Sequence, residues 1–243
     1  MTLSPVYSPI GDQGVRILLD ASISEKTHVL IQSFIKQLKE NPPAGVIEAV
    51  PSYGAVTVYY DSTLTTYDQL LPYLDGYVKK AETGTFKQAN LYYIPVCYEE
   101  PYAPDMEKVI QHTGLNRKRL IAMHTKPDYR IFMMGFTPGF PYLGGMDERL
   151  AVPRLETPRS LVKAGSVGIA NKQTGIYSIT SPGGWNIIGR SPISLFDKEA
   201  DFPILLQAGD FLNFYEISAA EYRTIKEQVK QKNYTIRVKT KRV

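Results

Sequence analysis

Apolar residues alternate or cluster at two different spacings along this chain, and the spacing changes where the structure should change. Val15 to Leu19 is a short apolar run of strand length. Leu30, Phe34 and Leu38, with Ile31 and Ile35 beside them, then recur at helical spacing. Ser22 and Glu25 have the spacing of a capping box at the start of that helix, and Asn41-Pro42-Pro43 ends it. Val46–Val50 and Ala55–Tyr60 read as strands joined by the turn Pro51-Ser52-Tyr53-Gly54. Thr66 and Gln69 form a second capping box before a stripe of Leu70, Leu74 and Tyr77/Val78, with Pro72 inside the helix and its end near Gly84. These elements make a small α+β sandwich of the ferredoxin-like kind over residues 1–88.

The polar stretch Thr83–Asn90 reads as a linker, and Leu91–Tyr98 as the next strand. Two short helices follow, over about 105–112 and 117–124, with Gly114 as the C-terminal stop of the first. From Tyr129 to about Ile217, short apolar runs are separated by Gly, Pro and Asn, the pattern of a β-barrel or β-sandwich. Ser218 and Glu221 cap a helix over about 219–231, and a last strand is expected over about 234–238. Residues 89–243 form the second expected domain.

Composition narrows the classes of function. Residues 1–88 carry 7 Lys/Arg against 9 Asp/Glu, so the overall excess of +4 belongs to the second part. That excess is too small and too scattered for a nucleic-acid face. No run of about 18 apolar residues marks a membrane span, and the N-terminus lacks the basic and apolar regions of a signal peptide. A lone cysteine, Cys97, sits in strand-like surroundings; it fits a buried inert thiol in a reducing cytoplasm.

No nucleotide-phosphate loop and no dinucleotide fingerprint occurs. His28, His112 and His124 lack metal-ligand spacing. His28 and His112 read as residues of helix surfaces, and His124 as a structural residue ahead of the first barrel strand. Ser166, Ser181 and Ser191 have no His–Asp pattern near them. The chain does not advertise a self-contained catalytic set, which favours binding or half of a shared site.

The chemistry concentrates in three stretches. Gly135-Phe136-Thr137-Pro138-Gly139-Phe140-Pro141-Tyr142-Leu143-Gly144-Gly145 and Ser181-Pro182-Gly183-Gly184-Trp185-Asn186-Ile187-Ile188-Gly189-Arg190 mix Gly, Pro and aromatics. Such runs hold rings on a stiff, irregular backbone and suit the wall of a pocket; they also suit ordinary structured turns. Between them lie Arg154, Arg159 and Lys163, which together with Arg190 fit either an anion site or solvated surface cations. In a pocket, Phe136, Phe140, Tyr142 and Trp185 would form walls, and Gln173, Tyr177 and Asn186 would hydrogen-bond a polar ligand.

Together with His124-Thr125, Pro153-Arg154, Thr157-Pro158-Arg159, Ala164-Gly165-Ser166-Val167-Gly168-Ile169-Ala170 and Gln173-Thr174-Gly175-Ile176-Tyr177, these runs resemble the allophanate hydrolase subunit 1 family. It is also called the KipI family, or the family of the 5-oxoprolinase B subunit. The likeness runs nearly full length, since Gly11-Asp12 and Ile94-Pro95-Val96-Cys97-Tyr98 match as well. It implies an N-terminal α+β domain and a cyclophilin-like β-barrel domain.

The resemblance implies three roles. The first is a subunit of an ATP-dependent 5-oxoprolinase that opens 5-oxo-L-proline to L-glutamate with subunits A and C. In that reaction ATP would phosphorylate the lactam oxygen and make its carbon electrophilic, and the ATP-binding subunit stays open. The second is an inhibitor that blocks autophosphorylation of a sporulation histidine kinase. The third is the carboxyltransferase part of a urea carboxylase, for which this chain lacks the biotin regions. The enzyme-subunit role needs no special host and is preferred. A prolyl isomerase is disfavoured, because the arginine and aromatic pattern of that enzyme is not recognisable.

Overall fold

The computed structural model describes residues 5–20, 24–81 and 88–242. They fall into two compact units, one within residues 1–87 and the other spanning Gln88–Arg242. No helix among the described residues is long and apolar enough to cross a membrane.

The first unit contains β1 (Val6–Ile10), β2 (Gly14–Leu18), α1 (Glu25–Glu40), β3 (Val46–Pro51), β4 (Ala55–Tyr60) and α2 (Tyr67–Ala81). The strands form one antiparallel sheet in the order β1-β2-β4-β3. The connectivity is therefore ββαββα, whereas a ferredoxin-like unit runs βαββαβ. Val15, Ile17, Val56 and Val58 point from the sheet into a core completed by Leu30, Ile31, Phe34, Leu38, Leu70, Leu74 and Val78. The helical stripes expected from the sequence are the buried faces.

Ser22 lies outside the described residues. Ser24 is the residue that caps α1, its hydroxyl accepting from Thr27 N at 3.1 Å. At Thr66 the expected box is present, with Thr66 N donating to Gln69 Oε1 and Gln69 N to Thr66 Oγ1. His28 is buried rather than on the helix surface. It stands three residues before Ile31 and seven before Ile35, on the stripe that faces the core. His112 is exposed.

The second unit begins with β5 (Gln88–Cys97), α3 (Met106–Thr113), α4 (Arg117–Thr125), β6 (Tyr129–Met134) and β7 (Pro141–Gly144). It continues with a short 3-10 turn at Glu148–Leu150, β8 (Arg159–Val162), β9 (Ser166–Ala170), β10 (Gln173–Ile176), β11 (Ser181–Gly183), β12 (Asn186–Arg190) and β13 (Phe211–Ile217). α5 (Ala219–Lys230) and β14 (Val238–Arg242) complete it. The main sheet runs β10-β9-β12-β5-β13-β6-β7, with β14 also paired to β5. Its end strands β7 and β10 approach each other, so the sheet curls into a nearly closed barrel. Strands β8 and β11 pair apart from it as a two-stranded ribbon.

Ile94, Val96, Ile131, Val167, Ile169, Leu212 and Phe214 fill the barrel interior. Gly114 ends α3 at φ 69°, and Ser218 and Glu221 make both bonds of the capping box on α5. The last strand departs from expectation. Tyr234 and Ile236 reach the core from a loop, while the basic stretch Val238–Arg242 pairs with Gln88–Tyr92. Ladder bonds are made by the main chain, so a solvent-facing strand needs no apolar side chains. Residues 88–90, expected in a linker, are the start of β5, while 83–87 lie outside the described residues. Cys97 is fully buried, and burial pushes its thiol pKa up, away from the reactive thiolate.

Candidate functional site

A pocket of about 450 Å³ opens on the second unit. The loop between β6 and β7 builds one wall. Phe140 N donates to Thr137 O and Gly135 N to Phe140 O, which folds the loop back on itself. Phe136 takes φ 65°, a backbone conformation rare for a residue with a side chain, and stands 61% exposed at the rim. Phe140 is buried at the centre.

A second wall comes from β11 and the residues before β12: Pro182, Gly183, Gly184 and Trp185. At Gly183 a side chain would overlap the Tyr177 hydroxyl, so only glycine lets the ring lie against this strand. Tyr177, Tyr142, Gln173, Ala170 and Asn171 line the remainder, and Arg154 and Pro158 stand on the segment between β7 and β8.

The electrostatics are simple. Arg154 makes no hydrogen bond or ion pair with the described residues, so its guanidinium is available to an anion. Burial raises the pKa of the Tyr177 phenol, while the bond from the Trp185 main chain and the charges of Arg154 and Arg159 act in the opposite sense. The phenol therefore stays protonated and can donate. Among the described residues, no Asp, Glu, His, Lys, Cys or Ser lines the pocket. The arrangement offers aromatic edges to an apolar ring and the Arg154 guanidinium to an anion.

The structure gathers seven of the residues expected in a site: Phe136, Phe140, Tyr142, Arg154, Gln173, Tyr177 and Trp185. Four others do not line the pocket. Arg159 is paired with Asp105, Nη2 to Oδ1 at 2.6 Å. Asn186 is fully buried, its Nδ2 donating to Pro153 O at 2.9 Å and Ile169 O at 3.3 Å. Arg190 donates from Nε to Ala164 O at 2.9 Å. Lys163 points to solvent. Three of the four thus satisfy main-chain carbonyls or a buried carboxylate, which residue type and sequence proximity do not distinguish from ligand binding.

Sequence reasoning named none of Pro158, Ala170, Asn171, Pro182, Gly183 and Gly184 as a site residue, although the last three lie in a run read as pocket wall. Among the others, Asn171 carried a signal. It sits at φ 51° in the turn between β9 and β10, a place that favours Asn. His124 is structural. Its Nδ1 meets the Tyr98 hydroxyl and its Nε2 the Thr174 hydroxyl, each at 2.8 Å, and its ring stacks on Phe214.

Comparison with known proteins places this architecture. Residues 5–206 match the family described as carboxyltransferase domain, subdomain C and D. The chain is 36% identical to the B subunit of 5-oxoprolinase from Bacillus subtilis over 239 residues, covering 94% of this chain and 99% of that one. The crystal structure of TTHA0988 superposes with a TM-score of 0.75 at 34% identity, over 86% of this chain and 40% of that longer chain. Urea amidolyase of K. lactis shares the fold at a TM-score of 0.83 and 19% identity, with this chain spanning 16% of its length. The chain belongs to the family of the 5-oxoprolinase B subunit, built on the carboxyltransferase C and D subdomains.

Proposed function

We propose that this chain is the B subunit of an ATP-dependent 5-oxoprolinase, working with subunits A and C to open 5-oxo-L-proline to L-glutamate. One observation carries the reading: an aromatic-walled pocket with a guanidinium at its wall that no described residue neutralises. 5-Oxoproline is a flat five-membered lactam bearing one carboxylate. The ring suits the edges of Phe140, Tyr142 and Trp185. The carboxylate suits the fork of Arg154, and Gln173 and Tyr177 suit the lactam amide.

Opening an amide needs more than this pocket offers. With no carboxylate, imidazole, amine or thiol along its described walls and the Tyr177 phenol as a proton donor, the pocket in this reading binds and orients while partner subunits supply the other reacting groups. The lining also does not suit a triphosphate, since its described residues include one cation and no glycine-rich phosphate loop. In this reading the pocket is therefore not the ATP site. The same fold occupies 40% of the longer TTHA0988 chain, which fits a role beside further polypeptide. The unit Gln88–Arg242 carries the ligand site and, in this reading, the main partner surface.

The test is reconstitution. The purified chain alone should release no glutamate from 5-oxoproline and ATP, and mixing it with subunits A and C should restore release. Full activity of A and C without this chain, or activity of this chain alone, would refute the assignment.

A further inference from the structure

Asp105 stands at the residue that starts α3, where a short polar side chain ordinarily accepts a hydrogen bond from the first helical turn. Its carboxylate makes no such bond. Both oxygens instead leave the helix. Oδ1 accepts from Arg159 Nη2 and Oδ2 from the main-chain N of Ile187, each at 2.6 Å. The main-chain N of Asp105 donates to Ile187 O at 2.9 Å, which makes the link to β12 two-stranded. Arg159 closes the circuit by donating from Nη1 to Trp185 O at 3.4 Å. The Asp105 side chain is 8% exposed and that of Arg159 34%, so the pair is screened less than a surface pair.

Each end of this circuit is one or two residues from a pocket wall. Arg159 follows Pro158, and Ile187 comes two residues after Trp185. The two wall segments are also joined to each other. Leu155 N donates to Gly184 O at 2.8 Å, and Arg159 lies opposite Gly183 in the β8–β11 ladder. Asp105 therefore anchors a joined pair of walls, carrying Arg154 and Trp185, to a helix that takes no part in the pocket.

We infer that Asp105 is a positioning residue for the pocket: through Arg159 and the main chain of Ile187 it holds the Trp185 wall and the Arg154–Pro158 segment at the spacing the ligand requires. The inference rests on the reading of the pocket as the 5-oxoproline site and adds to it a residue that touches no ligand.

Trp185 is the one tryptophan of the chain, so its emission reports this wall directly, with or without ligand. Asp105→Asn keeps the shape and can still accept from Ile187, but loses the charge that holds Arg159. Arg159→Gln breaks the same link from the other side. Each variant should melt near the parent and show acrylamide quenching of Trp185 raised about twofold. In the reconstituted assembly, each should raise KM for 5-oxoproline on the order of tenfold with kcat within about twofold. The double variant should add little to either single one, because both remove one connection.

Parent-like quenching and KM in both variants would overturn the inference. So would unfolding of both, which would make the pair a support of the whole fold. An equal fall in kcat and kcat/KM with unchanged quenching would also overturn it, since that marks a transition-state contact. The pocket reading fails separately: parent Trp185 emission that ignores 5-oxoproline would sink it, while the ligand-free quenching comparison would still judge the anchor.

Discussion

Phe140 meets Trp185 edge to face, with ring centroids 5.8 Å apart and planes at 86°. The same ring makes edge contacts with Phe136, Tyr142 and Tyr177 at 5.5, 5.3 and 5.6 Å. One buried side chain thus fixes four others, three of which come from other parts of the chain or the far side of its own loop. Edge-to-face pairs are favourable beyond the area they bury, so the ring contacts themselves stiffen the cluster.

Truncating that hub is expected to damage both fold and pocket. Phe140→Ala should cost about 3–5 kcal/mol, the range for a buried phenylalanine, and expose Trp185 to quencher. Phe140→Leu should lose less stability yet still loosen the wall, because a branched aliphatic chain fills space without the flat edge. Denaturant melts and Trp185 emission measure the two effects. An unchanged emission in Phe140→Ala would mean that Trp185 is held by something else.

Arg154 separates binding from stability. It is exposed and unpaired among the described residues, so Arg154→Ala should shift stability by no more than about 0.5 kcal/mol. Affinity for 5-oxoproline should fall at least about tenfold, as expected when a carboxylate loses a charged donor. Arg154→Lys should recover only part of it, because lysine keeps the charge and not the fork. Calorimetric titration of each variant beside a thermal melt decides the matter. Parent-like affinity in Arg154→Ala would remove the cation from the site.

Gly183 gives a steric prediction. A methyl group there would overlap the Tyr177 hydroxyl and lie 2.8 Å from the ring carbons, which neither group tolerates. Gly183→Ala should therefore displace Tyr177 and destabilise by about 1–3 kcal/mol. Adding Tyr177→Phe should relieve only part of this, since the ring carbons remain in the way. Full recovery in the double variant would show that the hydroxyl alone sets the clash.

His124 sets a pH dependence. It is fully buried against Tyr98, Tyr129, Thr174 and Phe214, and burial lowers its pKa from 6.5 to about 3. Below pH 6.5 the unfolded chain takes up a proton that the folded chain refuses, so stability falls as the pH drops from 6.5 toward 3. Between about pH 7 and about pH 5 this contributes about 2 kcal/mol of lost stability. His124→Gln should be less stable than the parent near neutral pH, because it cannot reproduce both hydrogen bonds, but should show a smaller fall over the same interval. Urea unfolding at the two pH values tests it. An identical fall in parent and variant would place the acid sensitivity elsewhere.

The positions of α1, α2, α3 and α5 were legible because each carries a local apolar spacing or an end signal; α4 carries no comparable apolar stripe. Leu30–Leu38 and the Thr66–Gln69 box are local facts, encoded within a few turns of chain. The Gly-Pro-aromatic runs were equally legible as pocket material, and Phe136, Phe140, Tyr142 and Trp185 do share one wall system. His28 and the final strand were misread for a common reason. A side chain's burial and a strand's partner depend on what packs from elsewhere, and neither is marked by the residue itself.

What the sequence determined by itself was therefore the inventory: the periodic stripes, the turns, the rigid aromatic loops and the presence of four nearby cations. What the tertiary structure decided was the assignment among those cations. Arg154, Arg159, Lys163 and Arg190 lie within 37 residues and differ little in kind. Arg154 is left open at the pocket wall, while Arg159 is captured by Asp105, 54 positions away, and Arg190 by the carbonyl of Ala164. A guanidinium binds whichever anion or carbonyl reaches it first in space. That order is set by how the barrel strands and α3 pack, not by the spacing of arginines along the chain.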